Sequence, residues 1–182
     1  MPQKPYCTHS TSLTKTSEPN KQSLLSDAYL KFIVEELKPK IDKSLLVKSK
    51  REHTFIAGSS MGGLISLYAI SEYPDVFGGA ACMSTHWPIA LDNSQKECSD
   101  ELVKHFGFNL PDPATHKIYF DYGTKGLDAS YEPWQLKMDV LMHRGKYTEG
   151  KNWITKKFEG DDHNEEAWKN RFEIPLRFLL AD

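Results

Sequence analysis

No apolar run in the 182 residues approaches the length of a membrane-spanning helix, and the opening Met1-Pro-Gln-Lys-Pro-Tyr-Cys7 has no hydrophobic stretch of the signal-peptide kind. As written, the chain is expected to be cytoplasmic and to have no membrane partner. Charge of one sign is also scarce: 23 Lys and Arg against 25 Asp and Glu give a net charge of −2, and no basic cluster is interleaved with aromatics. That balance supplies no field for a polyanion, so nucleic acid is not an expected partner. The three cysteines, Cys7, Cys82 and Cys98, have no metal-type spacing, and their odd count argues against a disulfide framework. Cys82 lies in an apolar run and reads as a small buried hydrophobe. There is no HExxH, no paired CxxC and no phosphate loop, and the Asp161, Asp162 and His163 cluster lacks a second set of ligands. Neither a metal nor a cofactor is expected.

What the chain does have is enough apolar material for a core, with 39% hydrophobic and 12% aromatic residues, in a length that suits one globular domain. Residues 1–23 are polar and rich in Ser, Thr, Pro and Lys, which predicts an arm or surface loop ahead of a domain over 24–182. A helix is expected from Ser26, with Leu25, Tyr29, Phe32, Ile33 and Leu37 on one face to pack against a sheet, and with Pro39 discouraging its continuation. Strands are expected at Phe55-Ile-Ala57, Gly79–Met83 and Lys117–Gly123, with a more amphipathic edge strand over Asn152–Phe158. Trp134, Met138, Leu141 and Met142 define a helical stripe ending near Gly145. Trp168, Phe172, Leu176, Leu179 and Leu180 define a last helix bent at Pro175. Strands alternating with helices in this way predict a mostly parallel, doubly wound α/β sheet.

One junction in this pattern carries chemistry. Thr54-Phe-Ile-Ala-Gly-Ser-Ser60-Met-Gly-Gly63 joins a β-type run to Gly-x-Ser-x-Gly and then to the apolar helix former Leu64–Ile70, the order of a nucleophile elbow. The bare pattern arises by chance in roughly one chain in twenty of this length, so the flanking strand and helix carry the assignment. A serine hydroxyl is a weak nucleophile at neutral pH and needs a tight turn, where a base can reach its proton and a carbonyl can approach. Gly58 and Gly62 are expected to make room for that turn, and Gly63 to let the helix lie close to the sheet. The Met61 N–H, at the start of the helix, is a candidate oxyanion donor.

A serine of this kind requires a base and an orienting acid, which in such folds follow in the order Ser, Asp or Glu, His. His163 lies between the last strand and the last helix, where it can reach back over the sheet, unlike His53, His105, His116 and His143. For the acid, Asp128 lies beyond the end of the 117–123 strand and is preferred to Asp121, which sits inside the strand. Asp161 and Asp162 read as residues that cap the last helix or shape its loop. Ser84-Thr-His86-Trp87 ends the strand after the elbow helix and should share the rim with Ser60. His86 and Trp87 are therefore substrate-binding candidates, one to hydrogen-bond and one to stack.

Taken together, Gly58–Gly63, Ser84–Trp87, Tyr119-Phe-Asp-Tyr-Gly-Thr124 and Asp162-His-Asn-Glu-Glu-Ala-Trp168 resemble the putative-esterase family of α/β hydrolases, relatives of esterase D, enterochelin esterases and feruloyl esterases. The resemblance runs from about residue 24 to the carboxyl terminus. It implies an α/β-hydrolase sheet and hydrolysis of a small-molecule carboxylic ester through Ser60, His163 and Asp128. In that fold the elbow strand is the fifth, whereas only one helix is evident here before Thr54, so the resemblance also implies an amino-terminally truncated sheet lacking its second oxyanion donor. An uncovered strand edge would invite self-association. The expected activity is that of a serine esterase working through an acyl-enzyme; the alternative is a catalytically impaired hydrolase-like fragment that serves as a binding or interaction module.

Overall fold

The computed structural model describes residues 26–88 and 96–181. The polar arm expected over 1–23, with Cys7 and Leu25, lies outside the described residues. The chain divides into two compact units, Met1–Leu46 and Val47–Asp182.

The first unit holds helix α1 (Ser26–Lys31), a π-helical stretch (Phe32–Leu37) and helix α2 (Lys38–Ser44), which run on without a break. Pro39 was expected to discourage continuation, yet the helix passes through it. Within a regular α-helix the Pro39 ring would press on the carbonyl four residues back. The widened turn avoids this, with the Lys38 N–H reaching five residues back to the Ile33 carbonyl. Tyr29, Phe32 and Leu37 remain roughly half exposed, at 53%, 47% and 41%.

The second unit is built on four parallel strands in sequential order, β1 (Phe55–Ser59), β2 (Gly79–Met83), β3 (Lys117–Gly123) and β4 (Trp153–Phe158). Helix α3 (Met61–Glu72) joins β1 to β2, α4 (Lys96–Phe108) lies between β2 and β3, and α5 (Glu132–Arg144) lies between β3 and β4. Two short helices follow, α6 (Glu165–Arg171) and α7 (Glu173–Leu180). The sheet is thus the expected parallel α/β sheet, and β4 is the expected edge strand. The outer edge of β1 has no strand partner among the described residues.

Every residue of β2 is buried, and its small side chains are a packing requirement. A Cβ on Gly79 would lie 2.7 Å from Leu179 Cδ2 and 2.9 Å from the Lys117 carbonyl oxygen. Alternation along the strands sends Ala81, Met83 and Tyr119 to one face, where they close on Leu179, with Phe55, Ile154, Trp168, Ile174 and Phe178 packed around them. Ile118 and Phe120 serve the other face, where Trp87 packs on Phe120 at 6.2 Å between ring centroids. Helix α3 is buried nearly all round, from Gly63 and Leu64 through Ile70, which explains why it reads as a continuous apolar run.

Helix α4 was not anticipated. Its buried residues Ser99, Leu102, Val103 and Phe106 do recur at helical spacing, but Lys, Glu and Asp between them dilute the pattern. The expected bend at Pro175 is instead a division: α6 stops at Arg171 and α7 starts at Glu173, because Pro175 has no N–H for the Arg171 carbonyl. Cys82 is fully buried as a free thiol, and burial pushes its titration upward. Cys98 is disulfide-bonded, a correction to the expectation from the odd cysteine count. No helix among the described residues is long and apolar enough to cross a membrane.

The α7 seal over the sheet gives a stability test. Leu179 is 3% exposed against Gly79 and the Ala81–Tyr119 cluster. Leu179→Ala is expected to lower unfolding free energy by about 2–5 kcal/mol in urea titrations. A loss well under 1 kcal/mol would mean that α7 does not seal this face.

Candidate active site

The elbow is formed by β1, Ser60 and α3. Ser60 sits at φ 57°, ψ −121°, a conformation that costs a non-glycine residue on the order of 1–3 kcal/mol and persists only where the surroundings enforce it. Here they do. The Ser60 N–H donates to the Met83 carbonyl (2.9 Å), and the Ser60 carbonyl accepts from Gly63 N (3.0 Å), Leu64 N (3.1 Å) and His86 N (3.2 Å). The serine backbone is therefore fastened to its own helix and to the end of β2.

The glycines divide the work differently from the expectation. A Cβ on Gly58 would lie 2.4 Å from the Gly62 carbonyl oxygen, so Gly58 is required by the turn. A Cβ on Gly63 would lie 2.9 Å from the Met83 carbonyl oxygen, so Gly63 sets the approach of α3 to the sheet. Gly62 contributes its backbone to the crowding, but a Cβ there would meet nothing within 4 Å. Met61 opens α3, where first-turn amides lack an intrahelical carbonyl, and its side chain is half exposed.

His163 follows β4 in a loop that is laced to the loop after β3. Thr124 N and Lys125 N both donate to the Asp161 carbonyl (3.0 and 2.9 Å), and Gly160 N donates to Thr124 Oγ1 (2.8 Å). Gly126, at φ 55°, leaves room for Asp162 Oδ1, which would lie 1.9 Å from a Cβ there. This lacing sets Asp128, on the 3₁₀ turn Gly126–Ser130, against His163. His163 Nε2 lies 2.9 Å from Ser60 Oγ, and His163 Nδ1 lies 2.6 Å from Asp128 Oδ1. The edges and faces of Tyr131 (5.6 Å between centroids) and Trp168 (4.9 Å) hold the imidazole from two sides. Asn164 supplies the cap of α6, accepting from Ala167 N (3.0 Å), while Asp162 accepts the His163 N–H (2.7 Å) and Asp161 pairs with Arg171 (2.9 Å).

The two candidate acids part in both place and charge. Asp128 is fully buried. Burial alone would raise its carboxyl, but hydrogen bonds from His163, Ser84 and Gly123 outweigh that and hold it below the usual carboxylate range. Asp121 stays on β3, also fully buried, and accepts from Ser84 N (3.1 Å), Tyr119 OH (3.0 Å) and Arg171 Nη2 (3.0 Å). Burial pushes Asp121 up to about 6, against the pull of Arg171 and of these hydrogen bonds. It is Asp128, and not Asp121, that touches the histidine.

Of the substrate-binding candidates, His86 stays at the site. Its Nδ1 lies 2.6 Å from Tyr131 OH, and burial, then the neighbouring His163, holds it below the usual imidazole range. Trp87 does not. At 1% exposure, with its Nε1–H on Gln135 Oε1 (3.1 Å), it is a core residue of the α5 face and presents no surface for stacking. Ser84 likewise turns its hydroxyl inward, at 0% exposure. Arg171 and Tyr131 went unremarked in the sequence. The signal for Arg171 is its position three residues after Trp168, on the buried side of a short helix, where a charge must have partners. Among the described residues, no group of three or more His, Cys, Asp or Glu is placed to hold a metal ion.

With this geometry in hand, the chain can be placed among known proteins. Residues 5–178 match the model of the family described as "Putative esterase", and the chain belongs to that family. Solved structures with the same fold include a ferulic acid esterase, at 21% identity and TM-score 0.62 over 83% of this chain and 60% of that one. They also include the enterochelin esterase of Shigella flexneri, at 17% identity and TM-score 0.65 over 84% and 37%. A third is an S-formylglutathione hydrolase of Staphylococcus aureus, at 16% identity and TM-score 0.58 over 85% and 65%. The chain thus spans between about a third and two thirds of these neighbours' lengths. No curated protein matches its sequence.

The raised Asp121 carboxyl has a thermodynamic signature. Its native titration near 6 lies above the value of about 4 for an unfolded carboxylate, so the native state holds the proton more tightly between the two. The stability it contributes is complete below about pH 4 and is lost as pH rises through 6. The penalty of Asp121→Asn is therefore expected to be largest near pH 4, to fall between about pH 4 and 6 and to level off above that, measured as the difference in urea midpoints. A gap that widens with pH would contradict the assignment.

Proposed function

We propose that this chain is a serine esterase that cleaves small-molecule carboxylic esters, with Ser60 as nucleophile, His163 as general base and acid, and Asp128 as the orienting acid. The observation that carries this reading is the unbroken hydrogen-bond chain from Ser60 Oγ through both nitrogens of His163 to a buried carboxylate held below its usual range. Membership of an esterase family supports the same chemistry.

In this reading Ser60 Oγ attacks the ester carbonyl while His163 Nε2 takes the hydroxyl proton. Negative charge gathers on the carbonyl oxygen, which the Met61 N–H meets at the positive end of α3. The carbon–oxygen bond then breaks, His163 returns its proton to the departing alkoxide, and the acyl group remains on Ser60. A water molecule, deprotonated by His163, attacks that acyl-enzyme; the acid leaves and Ser60 regains its proton. Asp128 stays ionised throughout, fixing the tautomer in which Nδ1 carries hydrogen and Nε2 is free to accept. In this reading His86, whose backbone N–H donates to the Ser60 carbonyl and whose ring is tied to Tyr131, contacts the substrate.

The second reading is an impaired hydrolase-like module that binds a partner, and the outer edge of β1, without a strand partner among the described residues, is what favours it. It predicts a folded chain without turnover, associating through that edge.

The deciding measurement is hydrolysis of p-nitrophenyl acetate, together with covalent labelling by a fluorophosphonate and size-exclusion elution of the same samples. Ser60→Ala is expected to abolish labelling and to lower kcat by about 10⁴–10⁶, and Asp128→Asn by about 10²–10⁴. Equal labelling of the wild-type chain and Ser60→Ala would refute the serine mechanism; a folded, soluble, inactive wild type would favour the binding module.

A further inference from the structure

Beneath the triad lies a second layer of polar residues that the mechanism above does not use. Ser84, immediately after β2, adopts φ 41°, a left-handed conformation unusual for a residue with a side chain. Its hydroxyl is fully buried and meets three groups from two segments: Asp128 Oδ2 on the 3₁₀ turn (2.6 Å), and Trp168 Nε1 (2.9 Å) and Arg171 Nη2 (2.8 Å) on α6. Its N–H goes to β3, to the Asp121 carbonyl (2.9 Å) with Asp121 Oδ1 at 3.1 Å.

The inventory of donors fixes the direction of these bonds. An indole N–H and a guanidinium N–H can only donate, so they occupy both lone pairs of the Ser84 oxygen. The single hydroxyl proton must then point at Asp128. Asp128 in turn accepts from Ser84 and Gly123 N (2.6 Å) on Oδ2 and faces His163 on Oδ1. A proton on Oδ2 would face the Ser84 and Gly123 donors, and one on Oδ1 would require His163 Nδ1 to give up its hydrogen, so the arrangement favours the carboxylate.

Arg171 anchors this layer. Buried at 3% exposure, it divides its fork among Ser84, Asp121 and Asp161, lies 3.7 Å from Asp128 Oδ2, and covers the Phe158 ring at 4.9 Å. Its Nε–H finds no acceptor among the described residues, so the side chain is placed by its fork. A positive charge is thereby fixed one hydroxyl away from the acid.

We infer that Ser84 and Arg171 are positioning residues for the acid, Ser84 passing the pull of the Arg171 charge to Asp128 and so setting how readily His163 accepts a proton. The inference rests on the triad reading above. Its sign follows from charge: a carboxylate that loses a donor becomes more basic and binds an imidazolium more strongly, so His163 should titrate at higher pH when Ser84 is removed. The charged and titratable groups around His163 are Asp128, Asp162, His86 and Tyr131, with Arg171, Asp121 and Asp161 behind Ser84.

The test is Ser84→Ala and Arg171→Lys in the full chain, with Ser60→Ala beside them. His163 is titrated by its ring C–H resonances, a readout that needs no turnover, and p-nitrophenyl acetate kinetics are run from pH 5 to 9. In Ser84→Ala the His163 titration and the acid limb of kcat/KM should both rise by about half a pH unit, with kcat down about tenfold and KM changed less than about twofold. Arg171→Lys keeps the charge but cannot reach Ser84, Asp121 and Asp161 at once, so it should move both in the same direction by less. It decides the question by itself if Ser84→Ala does not fold. An unmoved His163 titration, with or without loss of activity, overturns the inference and leaves a structural role only. Activity persisting in Ser60→Ala would overturn the triad reading instead, a failure that the titration does not share.

Discussion

A fully buried carboxylate must find its solvation in the protein, and the site depends on how Asp128 finds it. Its two oxygens draw on His163 from the loop after β4, Gly123 from the end of β3, and Ser84 from the end of β2. Each donor belongs to a different piece of the chain, so the acid is also the point at which those pieces are held in register. If the Asp128 charge is neutralised, the histidine loses its orienting partner and two strand ends lose a common ligand. The desolvation that makes such a charge expensive is what makes its placement specific.

The sheet prepares this convergence. Parallel pairing with register Ser59↔Met83 and Met83↔Asp121 brings the carboxyl ends of the strands to one rim, and the turns leaving that rim carry Ser60, Ser84, Asp128 and His163. Close approach then requires absences of side chain at chosen places: at Gly58 against Gly62, at Gly63 against β2, and at Gly123, where a Cβ would lie 2.3 Å from the Asp161 carbonyl oxygen. The strain at Ser60 and Ser84 is carried by these contacts, each residue being hydrogen-bonded on its backbone to a neighbouring strand end.

Much of this was legible because it is local. The run from Phe55 through Ile70 states strand, turn and buried helix in one continuous stretch, and Gly79–Met83 and Lys117–Gly123 have the apolar continuity of strands buried on both faces. His163 and Asp128 could be named as candidates because, once the strands are drawn, the turns after β3 and β4 are the few places from which side chains can reach the rim that carries Ser60. What escaped the sequence depends on partners far along the chain. Arg171 makes sense only beside Asp121, 50 positions away, and Trp87 is a core residue because Gln135, 48 positions away, receives its N–H. Helix α4 was hidden by charges on its outer face, and the passage through Pro39 by a change of helical pitch that residue preferences do not encode.

The open space at Gly62 separates what the elbow needs from what its signature records. A side chain there would meet no neighbour, and an alanine would suit the first turn of a helix better than glycine does. The third glycine, Gly63, outside the Gly-x-Ser-x-Gly spelling, is the one that lies against β2. A descendant of this chain could therefore abandon the pattern by which its serine is found while keeping the geometry intact, and another could preserve the pattern while losing the helix-to-sheet contact beneath it. Recognition by spelling and competence by shape are, at this turn, inherited through different residues.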